Sequence, residues 1–145
     1  MNSIHRILRN GAAIERVDLV RATINEAEEI KDNLLNDINF NKIIVDLSTC
    51  NYIDSTFFGA LVFAYKMLKQ RGCAMVLVVS KSFLLRSFIY KEIASVFKVY
   101  HSISEALEAF NNNNYGSVSN NNYHSLECRK EPVKIVQLPL QINSE

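Results

Sequence analysis

Short β-branched runs alternate along the chain with longer segments whose apolar residues recur at helical spacing. The compact runs at 42–47 and 74–79 are typical of strands buried on both faces of a parallel sheet. Short apolar or β-branched pieces within 4–8 and 12–24, around Asn10-Gly11, predict an opening pair of strands, and the run 97–100 predicts a last strand.

Two long segments between these runs have the period of a helix. Apolar residues recur every three or four positions from 27 to 38. We expect Asn25 to cap this helix, and acidic residues follow in the first turn, where the helix dipole favours negative charge. The segment 55–70 is too long and too apolar for a strand, which predicts a helix. Gly72 follows it in the position of a C-cap glycine, which ends a helix.

Two shorter segments complete the pattern. Residues 82–90 and 104–110 predict helices, the second capped by Ser102 or Ser104. Strands and helices in this order predict a single α/β domain, with a mostly parallel or mixed sheet of about four to five strands and about four helices.

The composition changes sharply after Phe110, where an Asn-rich stretch begins at 111–114. Such sequence buries too little apolar surface to offset the entropy lost on ordering. We therefore predict a domain at 1–111, followed at 112–145 by a linker and tail that is disordered or holds one short strand at 133–138.

The charges nearly cancel: 16 Lys and Arg face 15 Asp and Glu, a formal net charge of +1. This balance gives no long-range field to attract nucleic acid or anionic lipid, so protein partners are favoured. No apolar run approaches the ~18 residues of a membrane span, and residues 1–10 lack the apolar core of a secretion signal. We expect a cytoplasmic protein without membrane insertion; its oligomeric state is left open.

Residue types that often serve in catalysis are scattered along the sequence. His5, His101 and His124 lie far apart in the sequence, the three cysteines match no metal motif, and no Gly-x-Ser-x-Gly elbow or glycine-rich phosphate loop is present. We therefore expect no enzymatic activity, no cofactor and no metal.

One short motif, Asp54-Ser55-Thr56, stands where a turn passes into the apolar helix 55–70. A helix N-terminus presents unpaired N–H groups and partial positive charge, so it can accept a phosphate on Ser55, which adds roughly −1.5 to −2 charges at pH 7. The same tripeptide is also typical of a plain N-cap. From the residues alone, both interpretations stay open.

The run 42–80 resembles the STAS domain of anti-sigma-factor antagonists. It has the family's strand ending in Asp46-Leu47-Ser48, followed by an apolar residue, Asp, Ser and a second hydroxyl, then a helix, a glycine and another apolar strand. The segment 96–107 is similar to the family's closing strand and helix, so the resemblance extends over residues 4–110.

The resemblance implies a role for each residue of the motif. Asp54 matches the acidic residue beside the phosphosite, Ser55 the phosphorylated serine, Thr56 the second hydroxyl and second choice of phosphosite, and Gly59 the last glycine of the turn. It also implies a phosphoprotein that acts in transcription regulation by partner switching. The unphosphorylated chain would bind a serine kinase that is also an anti-sigma factor, phosphorylation would release it, and a PP2C-type phosphatase would restore binding.

The chain departs from the family pattern at Phe57-Phe58, where relatives have Gly-Leu. Two aromatic rings beside the phosphosite mark a divergent member whose partner surface differs from the usual one.

Helical spacing divides the segment 55–70 into two stripes. One stripe collects Lys66 and Gln70 and is expected to face solvent, together with Thr56, Gly59 and Phe63, whereas the other is expected to face the core and consists of Phe57, Leu61, Ala64 and Leu68. An exposed aromatic residue near a phosphosite suits an interface anchor. We predict that the partner surface comprises Asp54, Ser55, Thr56, Phe58, Gly59 and Phe63.

A second function stays open on the sequence. STAS domains also serve as binding subunits of lipid or anion transport complexes, in which the Ser55 turn would contact a partner without being a regulatory phosphosite. A neighbouring gene for a serine kinase or a PP2C-type phosphatase favours the switch, and one for a permease favours the transport subunit.

Overall fold

Strands and helices alternate through the chain in the computed structural model, which describes residues 3–37, 39–86 and 89–112. The strands are β1 Ile4–Arg9, β2 Ala12–Val17, β3 Arg21–Ala22, β4 Lys42–Asp46, β5 Tyr52–Ile53, β6 Ala74–Val78 and β7 Val99–Tyr100. The helices are α1 Ile24–Leu35, α2 Ser55–Gln70, α3 Lys81–Arg86, α4 Tyr90–Val96 and α5 Ile103–Asn111.

Five of the strands form one sheet in the order β1-β2-β4-β6-β7. Only the β1–β2 pair is antiparallel, joined through Asn10 and Gly11, whose φ angles of 51° and 81° suit a tight hairpin turn. The other three pairs are parallel. The predicted α/β fold with a mostly parallel sheet is confirmed.

Alternation along the central strands builds two cores, one on each face of the sheet. On β4, Ile43 and Val45 contribute to the larger core, which also contains residues from α1 to α4, whereas Ile44 contributes to the smaller core under α5. Burial on both faces explains why β4 and β6 are apolar almost throughout.

The N-terminus of α1 lies before the predicted cap. Thr23 is the N-cap: its Oγ1 accepts the N–H of Asn25 at 3.2 Å, while Glu26 Oε1 accepts the N–H of Thr23 at 2.9 Å. This reciprocal capping box satisfies the backbone amides of Thr23 and Asn25 at the start of the helix. The prediction of Asn25 as cap is therefore wrong, and Ile38 lies outside the described residues.

The helix expected at 82–90 corresponds to α3 and to the first residue of α4, and the rest of α4 was not predicted, so the described residues hold five helices rather than about four. Ser80 caps the first of them, since its Oγ accepts the N–H of Phe83 at 3.0 Å. Both helices are so short that periodicity alone did not resolve the break between them. At α5 the choice is settled for Ser102, whose Oγ accepts the N–H of Glu105 at 3.1 Å.

Two predicted strands are shorter than expected. The run 12–24 holds β2 and then only the two residues of β3, which pair with β5 in a separate small sheet. The run 97–100 pairs only at β7, because Phe97 is the C-cap of α4 and its side chain is buried in the larger core. The predicted tail beyond Asn112, including the strand at 133–138, lies outside the described residues.

Candidate functional site

The carboxylate of Asp54 joins the starts of two helices. Asp54 is the N-cap of α2, and its Oδ1 accepts the N–H of Phe57 at 2.8 Å. Its Oδ2 accepts the N–H of Ile24, the first residue of α1, at 3.0 Å. A negative charge at two helix N-termini is stabilised by both helix dipoles, so the role of this side chain is to fix the backbone on which Ser55 stands.

Ser55 and Thr56 are the first two residues of α2, and both are exposed. The first amides of a helix have no intrahelical acceptor, and Asp54 satisfies that of Phe57. A group attached to the Ser55 hydroxyl is therefore accessible to solvent, beside amides that suit an anion.

The turn before this helix is held by buried groups. Asp46, 2% exposed at the end of β4, accepts the N–H of Ser48 at 3.0 Å and pairs with Arg16 at 3.4 Å. Burial, and secondarily the charge of Asp46, raises the pKa of the Cys50 thiol to about 12. Cys50 therefore stays protonated and packs as an apolar residue, and it offers no nucleophile to this site.

The two predicted stripes of α2 are confirmed. The core stripe of Phe57, Leu61, Ala64 and Leu68 is fully buried, and the solvent stripe of Thr56, Gly59, Phe63, Lys66 and Gln70 is exposed. Gly59 lies on the open side, where a Cβ atom would meet nothing within 4 Å.

Phe58 lies between the two stripes. It is half-buried, and its ring contacts the ring of Phe97 edge-on with centroids 6.1 Å apart. The side chain assigned from the sequence to the partner surface therefore also packs against the larger core. Truncation of Phe58 would change stability as well as binding, which makes it a poor probe of the surface.

Phe63 is 48% exposed on the solvent stripe. The ammonium of Lys31 on α1 lies 5.2 Å from the centre of its ring, so a cation covers one part of the aromatic surface. Phe63 thus belongs to a surface shared by α1 and α2, which pack against each other.

A second exposed group beside Asp54 was missed by sequence reasoning. The guanidinium of Arg21 stacks 4.2 Å from the centre of the Tyr52 ring, across the β3–β5 pair. Val20, Ile24 and Tyr52 are 59%, 62% and 41% exposed, so apolar surface continues from α2 onto the start of α1. Strands of two residues carry no periodic signal, and nothing in the sequence marks these side chains as neighbours.

Two kinds of feature are absent from the described part of the chain. Within residues 3–37, 39–86 and 89–112, no three or more His, Cys, Asp and Glu side chains are grouped to hold a metal ion. Over the same ranges, no helix has both the length and the apolar character that crossing a membrane requires.

Solved structures share this architecture. An anti-sigma-factor antagonist (STAS) domain protein from Planctomyces limnophilus superposes with a TM-score of 0.62 at 23% identity, covering 75% of this chain and 98% of its own. The phosphorylated form of the Bacillus cell fate determinant SpoIIAA gives 0.55 at 13% identity, covering 74% and 98%. A sulfate transporter family protein from Wolinella succinogenes gives 0.50 at 17% identity, covering 76% and 93%.

These similarities concern the fold, and the sequence adds an independent match. Residues 16–106 match the STAS domain, a span that runs from β2 into α5 and includes the Asp54-Ser55-Thr56 motif. The chain therefore belongs to the STAS domain family.

Proposed function

We propose that this chain is a phosphorylation-controlled protein-binding switch of the anti-sigma-factor-antagonist type. In its unphosphorylated form it binds a serine kinase that also acts as an anti-sigma factor, and phosphorylation at Ser55 releases it. A PP2C-type phosphatase returns it to the binding form. The chain is a cytoplasmic substrate and binding partner in this cycle and catalyses no step of it, in keeping with STAS domains in general, which typically bind rather than catalyse.

The observation that carries the proposal is the setting of Ser55. Its side chain is exposed on the first residue of α2, while the adjacent Asp54 is held by two backbone amides. A kinase can reach the hydroxyl without unfolding the helix, because the capping bonds are made by Asp54 and not by Ser55. Thr56, exposed on the next position, is the second choice of phosphosite.

A phosphate on Ser55 would change the surface more than the fold. It adds roughly −1.5 to −2 charges beside the carboxylate of Asp54, and helix N-termini tolerate negative charge. A partner that docks on Asp54, Ser55, Thr56, Phe58, Gly59 and Phe63 would meet this concentrated charge directly. Release of the partner therefore follows from electrostatic repulsion and desolvation at the interface. The known structure of Bacillus SpoIIAA in a phosphorylated form supports such a modification on this fold.

The alternative is a STAS binding subunit of a lipid or anion transport complex, without a regulatory phosphosite. The likeness to the Wolinella succinogenes sulfate transporter family protein supports it. In that case the same exposed surface would contact a transporter subunit permanently, and Ser55 would serve only as the first residue of α2.

The phosphosite is tested first. Protein isolated from its native cells is measured by intact-mass spectrometry, and peptide mapping after digestion then locates the modification. We expect one phosphate on the wild-type chain, its loss in Ser55→Ala and its retention in Thr56→Ala. Absence of phosphate from the wild-type chain under every growth condition, including phosphatase inhibition, would contradict the switch.

Binding is then measured against a candidate serine kinase from the same organism. Ser55→Ala should bind as the unphosphorylated wild type does, and Ser55→Asp should bind about tenfold more weakly or worse, because like charges at an interface cost several kcal/mol. Ser104→Asp is the matched control: it places the same charge on an exposed serine in the first turn of α5, on the opposite face of the sheet. Equal affinity of both Ser55 variants, together with stable capture of a permease subunit, would establish the alternative.

A further inference from the structure

Away from Ser55, three charged side chains meet where the β1–β2 hairpin contacts the end of α1. Arg6 on β1 and Glu15 on β2 are direct cross-strand partners, and Arg6 Nε lies 3.1 Å from Glu15 Oε2. The same guanidinium reaches Asp37, just beyond α1, with its Nη2 2.8 Å from Asp37 Oδ1. Asp37 is held in place by its backbone, since its N–H donates to Leu34 and its carbonyl accepts from Phe40.

The two acids are deeply buried and incompletely paired. Glu15 and Asp37 are each 0% exposed, whereas the side chain of Arg6 is 41% exposed. Glu15 Oε1 and both carboxylate oxygens of Asp37 are buried without a hydrogen-bond partner, so the contact of Asp37 with Arg6 is an ion pair without hydrogen-bond geometry. Two buried carboxylates facing one guanidinium leave one negative charge uncompensated, which a buried site accommodates poorly.

A proton resolves both deficits. With a proton on Asp37, the carboxylic acid becomes a donor to Glu15, and the group is left with one positive and one negative charge. Burial, followed by the bond that the protonated acid donates to Glu15 and by the negative charge of Glu15, raises the pKa of Asp37 to about 8, although Arg6 acts to lower it.

The charged groups that face this cluster are few. In the part of the chain that the structure describes, Arg6 from β1 and Glu15 from β2 are the titratable groups that act on Asp37. On α1, Lys31 instead pairs with Glu28 at 3.3 Å and covers Phe63, so it does not compensate the acids.

We propose that Glu15 and Asp37 share one proton beneath Arg6, and that Arg6, Glu15 and Asp37 form a proton-dependent latch that fastens β1 and the end of α1 to β2. The latch is closed while the proton is present. When the proton leaves, two buried anions face one cation, and repulsion between them loosens the hairpin and the connection from α1 to β4.

The latch holds the helix that also contacts the candidate switch. The N-terminus of α1 is bonded to Asp54 through the N–H of Ile24, and α1 packs against α2. Opening the latch therefore frees the C-terminal end of α1, and α1 supports the Ser55 surface. The proton sharing itself does not depend on whether Ser55 is phosphorylated.

The sign of the pH dependence follows from the direction of the pKa change. In the unfolded chain an aspartate titrates near pH ~4, whereas in the folded chain Asp37 holds its proton to about pH 8. The latch's contribution to stability is fully present below the unfolded value and is lost as the pH rises toward about 8. A simple ion pair between Arg6 and an ionised Asp37 would instead lower the folded pKa, so its contribution would be constant from pH 5 to 8 and would be lost only below pH ~4.

The test is urea unfolding of the full chain at pH 5, 6, 7 and 8, comparing the wild type with Asp37→Asn. The side-chain amide introduced by this substitution donates from the place where the protonated acid carries its O–H, so the variant keeps the closed arrangement at every pH. We expect the ratio of the wild-type to the variant unfolding constant to increase by up to about tenfold per pH unit in this window. Asp32→Asn on the exposed side of α1 is the matched control. The ratio of the wild-type unfolding constant to that of Asp32→Asn should stay near one at every pH.

A second measurement uses the wild type alone, in case Asp37→Asn does not fold. Carbon-13 NMR of labelled Asp and Glu side chains should show one carboxyl group that keeps its protonated shift until about pH 8. Amide exchange in β1, corrected for intrinsic rates, should quicken over the same range. A wild-type to variant ratio that stays constant or falls from pH 5 to 8, or carboxyl groups that have all titrated by pH 6, would overturn the latch.

Discussion

The two faces of helix α2 share one backbone and similar residue types, yet they make opposite contacts. Phe57 is fully buried and Phe63 is 48% exposed, although both are phenylalanines within two turns of each other. The buried face contacts the sheet and fixes the helix, whereas the open face leaves an aromatic ring and a glycine in solvent next to Ser55. The position of a side chain on the helix, more than its chemical type, therefore separates what stabilises the domain from what is available to a partner.

The largest effect is expected at the buried face. Phe57→Ala should lower the free energy of unfolding by ~3 kcal/mol or more, because the cavity left under α2 cannot collapse fully. Urea unfolding measures this loss, and titration with the kinase at a temperature where the variant is folded should show nearly unchanged affinity. A loss below ~1 kcal/mol would mean that the two faces are not distinct in energy.

The next effect belongs to the open face. Phe63→Ala should weaken partner binding by ~2 kcal/mol, roughly thirty-fold in affinity, if this ring is an interface anchor. Its cost in stability should stay within ~1 kcal/mol, since the side chain is 48% exposed and its contact with the ammonium of Lys31 lies at the surface.

Leu8→Ala is the control for the Phe63 variant. It removes an apolar side chain of similar exposure, 61%, from the edge strand β1. Its affinity for the kinase should equal that of the wild type. Equal loss of affinity in both variants would show that the effect on binding is not specific to the α2 surface.

Both faces of α2 were predictable from the sequence because apolar residues recur at the helical period, and the strands were predictable in the same way from alternation. A helical period of ~3.6 residues places Phe57, Leu61, Ala64 and Leu68 on one side, and alternation places Ile43 and Val45 in one core. Strands buried on both faces and long helices repeat the signal several times, so β4, β6 and α2 were predicted with nearly correct bounds.

Contacts between distant segments were not predictable. The cap of α1 is a different case, because Thr23 and Glu26 have the T-x-x-E spacing of a capping box, a local signal that the choice of Asn25 overlooked. The bond from Asp54 to Ile24 and the pairing of Arg6 with Asp37 join residues about 30 positions apart. No local pattern indicates such contacts, because they arise only when the sheet brings distant segments together.

The smallest effect, at Gly59, tests whether the open face is kept clear for a partner. Glycine inside a helix costs roughly 0.5–1 kcal/mol relative to alanine, and a Cβ atom at Gly59 would meet nothing within 4 Å. Gly59→Ala should therefore raise the free energy of unfolding by ~0.5–1 kcal/mol, as a thermal or urea melt can show.

The same Gly59→Ala variant should bind the kinase more weakly, because a methyl group at Gly59 would project into the proposed partner surface. Gln70→Ala, at the far end of the same exposed stripe, is the control and should leave affinity unchanged. A gain in stability without a loss of affinity would place Gly59 outside the interface and confine the partner surface to the first turn of α2 and Phe63. A loss of stability would show instead that the glycine serves the fold, so that the open face carries a structural constraint which its lack of contacts does not reveal.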